Sequence, residues 1–287
     1  MICGTGRVLW AIASIVRIDM GKIKIFLLFI LVAALLSGCM DKNGSDKELA
    51  YNTMKNQINK NKSANICIIS AVEHDEIWQY SAGASGVIVG CDQDGYYALT
   101  AYHVINKENA KFLIMTVFDE DVKEDRKEHN RITDVICEYY NSFPVAKVVY
   151  TNEQEDLAII YFETRIKLEI VSLSEKNPKK DDLVITVGSY SEKMDYFFVS
   201  TGMIDKDELV TFKTNDGNAE NRVLQHSAFT TEGFSGGGVY DEDMKLVGIN
   251  IGGGVDFFGR FKFSVMIPCE QINKCIEKSN INELQDI

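Results

Sequence analysis

The sequence predicts an all-β protein whose strands form closed or sandwiched sheets. Short apolar segments rich in β-branched and aromatic residues recur along the chain, with turn residues between them. Asp94-Gly95 separates two such segments, 83–90 and 96–102, and this dipeptide favours a hairpin. Many short strands joined by turns are typical of β-barrels and β-sandwiches.

The other predicted strands follow the same pattern. They cover residues 65–72, 111–118, 132–140, 144–150, 157–162, 183–189, 197–204, 208–213, 222–228, 238–241, 246–251 and 260–266. A helix is predicted near the end of the chain, at about 268–278, and another at about 46–59. The charge run at 119–131 is interpreted as a solvated surface loop, because mixed charge is costly to bury.

Charge and length narrow the function classes. The chain has 287 residues, enough for one large domain or two small ones, and a formal net charge of −12. Residues 1–38 contain four basic residues and one acidic residue, so the remainder carries about −15. An acidic body argues against a nucleic-acid partner, which needs a basic surface, and against electrostatic docking on anionic lipid.

The N-terminal region has the pattern of an export signal. A basic start at 20–24 precedes twelve apolar residues at 25–36, and the segment closes with Leu36-Ser37-Gly38-Cys39. This closing segment resembles the lipobox of bacterial lipoproteins, which implies a lipid on Cys39 and an anchor in the membrane outside the cytoplasm. Ordinary signal cleavage and an uncleaved anchor are the alternatives. Because residues 1–19 precede a complete signal, Met20 is the predicted start of translation, and Met1 at the N-terminus of the unprocessed precursor would contradict this.

The cysteines predict neither a metal site nor a nucleophile. Export permits disulfides, but the odd number of cysteines after Cys39 leaves at least one free thiol, and the pairing is open. These cysteines are Cys67, Cys91, Cys137, Cys269 and Cys275. None has zinc-ligand spacing or lies in a glycine-rich turn, so we expect no metal and no cofactor.

Three segments carry the predicted chemistry. They read LTAYH at 99–103, DLAII at 156–160 and GFSGGG at 233–238. Each sets one member of a possible hydrolytic triad, His103, Asp156 and Ser235, beside a predicted strand. The order His, Asp, Ser along the chain is that of chymotrypsin-type proteases.

The residue types fit the requirements of amide hydrolysis. Glycines around Ser235 allow a sharp turn that exposes the hydroxyl, and the N–H groups of Gly233 and Ser235 are the predicted oxyanion hole. A phosphate-binding loop is disfavoured, because the segment leads into a strand and not into a helix. Asp156 is preferred to Glu155 because it directly precedes the strand. His226 is close to the serine segment and could line the substrate pocket.

These motifs resemble the bacterial trypsin-like serine proteases of the HtrA/Deg group. The similarity covers TAYHVI at 100–105, DLA at 156–158, QHSA at 225–228 with GFSGG at 233–237, LVGIN at 246–250, and ASGVIV at 84–89. It implies two six-stranded β-barrels of chymotrypsin type with a C-terminal helix, and a site in the cleft between them. The implied domains are a signal at 1–39, a polar tether at 40–63 and a protease domain at 64–280, with barrels at about 64–170 and 180–268.

The resemblance also implies a substrate pocket, and this chain differs from the HtrA/Deg pattern at several positions. Phe229, Thr230 and Thr231 would form one wall of the pocket for the residue before the cleaved bond (P1), and Ile251, Gly252 and Gly253 another. No acidic residue is among these six, so small or medium apolar P1 residues are predicted. Phe234 stands where the group has asparagine, and Glu232 and Gly238 also depart from its pattern. We expect no PDZ domain in the residues up to Ile287.

The predicted function is an exported, lipid-anchored serine endopeptidase acting on proteins or peptides. Two alternatives remain open at this point. One is a catalytically inactive protease fold that serves as a binding module on the cell surface. The other is an esterase that uses the same site.

Overall fold

The first half of the chain folds into a closed barrel of six antiparallel strands in the computed structural model. The structure describes residues 62–74, 77–122, 138–190, 195–213, 220–281 and 284. All of them belong to one compact unit. The predicted signal, the tether as far as residue 61, the helix at 46–59 and Cys137 lie outside the described residues. The last two residues of the predicted tether begin a short 3-10 helix, Lys62–Ala64.

The barrel strands follow the order β1-β2-β3-β6-β5-β4, and β1 pairs with both β2 and β4 to close the ring. Their bounds are β1 Asn65–His74, β2 Ile77–Cys91, β3 Gly95–Ala101, β4 Ala110–Met115, β5 Val145–Asn152 and β6 Leu157–Glu163. β2 begins six residues earlier than predicted, because it forms a long hairpin with β1 in which Val72 pairs with Gln79.

The second half forms a seven-stranded sheet with the order β8-β7-β11-β12-β13-β10-β9. The strands are β7 Leu183–Tyr190, β8 Asp195–Met203, β9 Val210–Lys213, β10 Glu220–His226, β11 Gly238–Tyr240, β12 Leu246–Val255 and β13 Phe261–Pro268. A bridge between Ile204 and His226 links the end of β8 to β10, so six strands form a ring and β9 is added beside β10. The sheet therefore closes as in a chymotrypsin-like double barrel, with one strand more than predicted.

Helices are few in the described part of the chain. Helix α1 is one turn at Tyr102–Ile105, and helix α2, Cys269–Ser279, confirms the predicted C-terminal helix. None of the helices in these ranges is long and apolar enough to cross a membrane. Residues 138–140 are helical, so the strand predicted there is wrong at its end, and its earlier part lies outside the described residues.

The two halves share one continuous core. Buried side chains from the first barrel, such as Ile66 and Val87, belong to the same apolar cluster as Val187 and Ile249 from the second sheet. The buried Tyr240 hydroxyl donates a hydrogen bond to Asn65 Oδ1 at 2.9 Å across this boundary. Burial of apolar surface is the main favourable term in folding, so this shared core fixes the two halves against each other.

Candidate active site

His103 and Asp156 come together because their strands are neighbours. β3 and β6 are antiparallel, and Ala101 at the end of β3 lies opposite Leu157 at the start of β6. The residues just after β3 and just before β6 therefore lie at the same edge of the barrel. β3 ends one residue before its predicted end, and α1 carries His103 in its single turn.

Asp156 binds His103 through both carboxylate oxygens. The distance from His103 Nδ1 to Asp156 Oδ2 is 2.8 Å, and the backbone N–H of His103 donates to Oδ1 at 2.9 Å. The Asp156 side chain is 3% exposed, whereas the His103 side chain is 40% exposed. A buried acceptor thus orients an imidazole whose other edge is open to solvent.

Ser235 lies in a turn whose backbone requires glycine at two positions. Gly233 and Gly236 have φ angles of +101° and +85°, in the left-handed region that glycine adopts without steric cost. A Cβ on Gly236 would lie 2.1 Å from the carbonyl oxygen of Ser85, and one on Gly233 would lie 2.4 Å from that of Ser189. The glycines therefore permit both the turn and its close approach to β2 and β7.

Ser85 of β2 clamps this turn from the first barrel. Its hydroxyl donates to the carbonyl oxygen of Gly233 at 2.7 Å and accepts from the N–H of Ser189 at 2.8 Å. Its own backbone N–H donates to the carbonyl oxygen of Ser235 at 2.9 Å. One buried side chain thus connects β2, β7 and the serine turn.

Asn250 of β12 holds the other end of the turn. Its carbonyl oxygen accepts from the N–H of Gly236, and its N–H donates to the carbonyl oxygen of Gly237, both at 2.8 Å. Its side-chain amide bonds Thr186 Oγ1 and lies 3.0 Å, through Oδ1, from His226 Nε2.

His226 does not take the position in the pocket that its place near the serine segment allowed. This residue is fully buried behind Asn250 and does not line the substrate cleft. Burial lowers its pKa to about 4, because a charged imidazole would lose its hydration. His226 therefore supports the site from behind as a neutral ring.

Phe234 is an apolar anchor for the serine turn. Its side chain is 1% exposed and packs edge-to-face against Phe198 of β8, with ring centroids 6.2 Å apart. A Cβ on Gly188 would lie 2.5 Å from its ring, so this glycine makes room for it. The bulky residue that departs from the HtrA/Deg pattern is thus accommodated inside the second barrel.

A cleft of about 760 Å³ contains His103 and Ser235. All six residues predicted to form the pocket walls also line it: Phe229, Thr230, Thr231, Ile251, Gly252 and Gly253. The sequence did not identify the aromatic residues that join them, Tyr190, Phe212, Phe261 and Phe263. The alternation of Phe261 and Phe263 indicates a shared face of a strand, but only the pairing of β13 with β12 assigns that face to the cleft.

The cleft has apolar and hydroxyl-lined walls. The Phe229 ring lies 5.3 Å from Phe261 and 5.8 Å from Tyr190, between centroids. Thr230 Oγ1 lies 2.6 Å from Ser264 Oγ, whose hydroxyl donates to a backbone carbonyl. Among the residues described as lining this cleft, the acidic one is Glu232, which is exposed.

A second cavity of about 540 Å³ adjoins the first and shares His103, Glu232 and Ser235 with it. It is lined from the first barrel by residues that include Ala84 and Lys107. The cleft therefore continues on both sides of the Ser235 and His103 pair.

Two of the buried cysteine thiols are weak acids. Burial raises the pKa of Cys269 to about 11 and that of Cys275 to about 12, which keeps both as thiols near neutral pH. In the described ranges, no cluster of three or more histidine, cysteine or acidic side chains has a geometry that could hold a metal ion.

The fold and the cleft define the class of protein, a double β-barrel with histidine, aspartate and serine side chains at the junction of its halves. A family model described as trypsin-like peptidase domain matches residues 84–249. This match covers more than half of the chain, and the chain belongs to this family. No curated protein matches it.

Proposed function

We propose that this protein is a serine endopeptidase in which His103, Asp156 and Ser235 act together. The observation that carries the proposal is the buried Asp156 carboxylate, 2.8 Å from His103 Nδ1, beside a serine in the same cleft. The continuation of the cleft on both sides of Ser235 suits a polypeptide that enters and leaves as an extended chain.

The proposed reaction follows from these positions. The Ser235 hydroxyl attacks the scissile carbonyl carbon while His103 Nε2 takes its proton, and Asp156 stabilises the imidazolium. The C–N bond then breaks, and the leaving amine takes the proton from His103. Water attacks the acyl-enzyme in the same way, giving its proton to His103, which returns it to Ser235 as the carboxylic acid leaves.

The backbone at 233–235 supports an oxyanion hole. None of the hydrogen bonds described for this turn uses the N–H of Gly233 or of Ser235. The Ser85 hydroxyl binds the carbonyl oxygen of Gly233 and so restrains this residue. The buried side chain of Phe234 anchors the turn between the N–H groups of Gly233 and Ser235. Fixed donors of this kind stabilise the charge that develops on the carbonyl oxygen.

The cleft walls support a preference for small or medium apolar P1 residues. Phe229, Phe261 and Tyr190 give the pocket an aromatic wall, and Thr230 is engaged with Ser264. A lysine or arginine side chain would need an acidic partner in this space to repay its desolvation. Glu232, the acidic residue of the lining, is exposed to solvent and also lines the neighbouring cavity.

The test is labelling of the purified protein with a fluorophosphonate probe, which reacts with activated serines. We expect labelling at Ser235, located by mass spectrometry, and its loss in Ser235→Ala and His103→Ala. Ser227→Ala, which changes a serine outside the cleft lining, is the matched control and retains labelling. A peptide library then gives the P1 profile, and a profile dominated by arginine and lysine would overturn the proposed pocket preference.

Absence of labelling in the folded protein would contradict the proposal. In that case binding partners should be sought for an inactive protease fold. Cleavage of ester substrates without any peptide hydrolysis would indicate an esterase instead.

We also propose, from the sequence, an exported HtrA/Deg-like enzyme anchored through a lipid on Cys39 and separated from the membrane by the polar segment 40–63. A lipid-modified mature N-terminus at Cys39, lost in Cys39→Ala, is the expected result in the native host. A soluble mature protein cleaved at another position would overturn this part of the proposal.

A further inference from the structure

The hairpin between β12 and β13 displays aromatic side chains in solvent. The exposed fractions are 66% for Val255, 97% for Phe257 and 77% for Phe258. We call residues 255–258 the aromatic tip. Phenylalanine at such exposure forgoes the burial that normally stabilises it, so two adjacent cases point to a surface that is covered in use.

Hydrogen bonds brace the backbone of the aromatic tip. The Asp256 carboxylate accepts from the N–H groups of Phe258 and Arg260 at 2.9 Å and from Arg260 Nε at 2.7 Å. The backbone closes the turn through the N–H of Gly259, which donates to the Asp256 carbonyl oxygen. Hydrogen bonding to Arg260 lowers the pKa of Asp256, which favours the ionised carboxylate that accepts these bonds. The rings are therefore presented by a structured turn.

The aromatic tip is continuous with the candidate active-site cleft. Val255 and Gly259 line the same cavity as His103 and Ser235. β11 pairs with β12 only as far as Ile249, so among the described strands residues 252–255 pair with β13 alone. Their other edge is open to an extended chain that adds to the sheet.

Strand geometry gives the distance that such a chain would cover. At about 3.3 Å per residue, the path from the pocket beside Gly252 to Phe257 spans roughly five residues. A substrate whose P1 side chain occupies the pocket would thus bring its fifth or sixth residue before the cleaved bond close to the aromatic tip.

We propose that the aromatic tip is a specificity site for an apolar side chain about four to six residues before the cleaved bond of a polypeptide substrate. This rests on the proposed peptidase function, because it takes the pocket as the P1 site. A lipid surface would also cover exposed phenylalanines, but the open edge of β12 leads from the cleft to these rings. The Asp256 and Arg260 charges pair with each other, so the tip offers no cluster of basic residues to lipid headgroups.

The experiment measures binding without catalysis. In the Ser235→Ala background, two labelled ten-residue peptides with P1 valine are compared by fluorescence anisotropy, one with leucine and one with serine at the fifth position before the cleaved bond. We expect the leucine peptide to bind at least tenfold more tightly. The double variant Phe257→Ser/Phe258→Ser should reduce this ratio to below twofold, and Phe257→Ser alone should reduce it in part.

Phe118→Ser is the matched control, because Phe118 is 56% exposed and lies in the first half of the chain, outside the lining of the cleft. It should keep the full preference. With Ser235 intact, the tip variants should cleave a short substrate that ends at the third residue before the bond as fast as the parent does.

The outcomes separate the two proposals. An unchanged leucine preference in the double variant overturns the tip proposal. Binding to phosphatidylcholine vesicles is measured for the same proteins. If the double variant loses vesicle binding that the parent shows, but keeps the leucine preference, the tip serves a lipid surface and the proposal is overturned. Failure of the parent to react with the fluorophosphonate probe or to cleave the short substrate overturns the peptidase proposal, while the anisotropy comparison still tests the tip.

Discussion

Asp156 occupies a backbone conformation that suits its proposed role. Its φ angle is +50°, in the left-handed region where aspartate and asparagine are the best tolerated residues after glycine. Its N–H donates to the carbonyl oxygen of Glu153, and its own carbonyl oxygen accepts from the N–H of Tyr102. The residue is thus fixed by its main chain before its carboxylate binds His103.

Asp156→Asn should remove activity and keep the fold. Asparagine tolerates the same backbone angle and can accept the backbone N–H of His103, so we expect the melting temperature to fall by only a few degrees. The amide cannot hold the imidazole in the required tautomer, so kcat should fall by roughly 10⁴-fold. Steady-state kinetics with a chromogenic peptide and thermal melting measure the two effects.

Glu155→Gln is the control for this prediction. Glu155 accepts from the side-chain amide of Asn152 at 2.9 Å, and no hydrogen bond described for it reaches His103. Its replacement should change kcat less than twofold. A comparable loss of kcat in Asp156→Asn and Glu155→Gln would contradict the prediction. It would show that kcat depends on the negative charge of these two residues and not on the contact between Asp156 and His103.

At the scale of the elements, one serine couples the strand β2 to the serine turn. Ser85 is 2% exposed, and its hydroxyl is engaged by Gly233 on one side and Ser189 on the other. Thr100 of β3 also donates its hydroxyl to the Ser85 carbonyl oxygen at 2.7 Å. The position of the turn therefore depends on strands of the first barrel, although its residues lie between strands of the second.

Ser85→Ala should weaken both stability and catalysis. The change leaves a buried N–H and a buried carbonyl without their partner, which costs about 1–3 kcal/mol of unfolding free energy. The Gly233 peptide loses its restraint, so we expect kcat to fall about tenfold or more, with KM for a short substrate nearly unchanged. Urea unfolding and steady-state kinetics test the two parts separately.

Thr116→Ala serves as the comparison for Ser85. Thr116 is also buried, directly after strand β4, but its hydroxyl bonds Asp119 and the residue lines neither of the two cavities at Ser235. It should lose stability without the selective loss of kcat. Equal kinetic effects in the two variants would rule out a specific role for the Ser85 clamp.

At the scale of the whole molecule, the second sheet closes around a histidine that must stay neutral. His226 pairs with Ile204 in the bridge that completes the ring of strands. Its Nδ1 atom is buried and has no hydrogen-bond partner among the described residues. Protonation would place both a charge and an unpaired donor in the core, which is why burial lowers the pKa of His226 to about 4.

This predicts that His226 makes global stability fall at acid pH. The unfolded chain binds a proton at this residue below about pH 6.5, whereas the folded chain does not until about pH 4. Above pH 6.5 the neutral His226 does not reduce the free energy of unfolding. As the pH falls from 6.5 to 4, the free energy of unfolding decreases by roughly 3 kcal/mol in total. Urea unfolding at pH 7 and at pH 4.5 measures the loss.

His226→Gln isolates this effect from the carboxylates, which also titrate at acid pH. Glutamine can donate to Asn250 but does not titrate, so the difference in unfolding free energy between pH 7 and pH 4.5 should be smaller in the variant. His129→Gln, in the charge-rich segment at 119–131, should show the parent's difference. An identical pH dependence in His226→Gln and the parent would contradict a neutral buried His226.

Local sequence was sufficient for the all-β class, most strand positions and the C-terminal helix, because these depend on residue period and on turn residues. It missed the long reach of β12, which was predicted to end at Ile251 and continues to Val255. The three consecutive glycines at 252–254 have low strand propensity, and only their pairing with β13 keeps them extended.

The chain by itself also determined which histidine, aspartate and serine to consider, since each lies in a local motif beside a strand. Only the tertiary structure decided what surrounds them. Strand order brings His103 to Asp156, the junction of the two halves places Ser85 on the serine turn, and closure of the second sheet buries His226 instead of leaving it in the cleft. These contacts join residues far apart in the chain, and residue pattern along a strand carries no information about which distant strand becomes its neighbour.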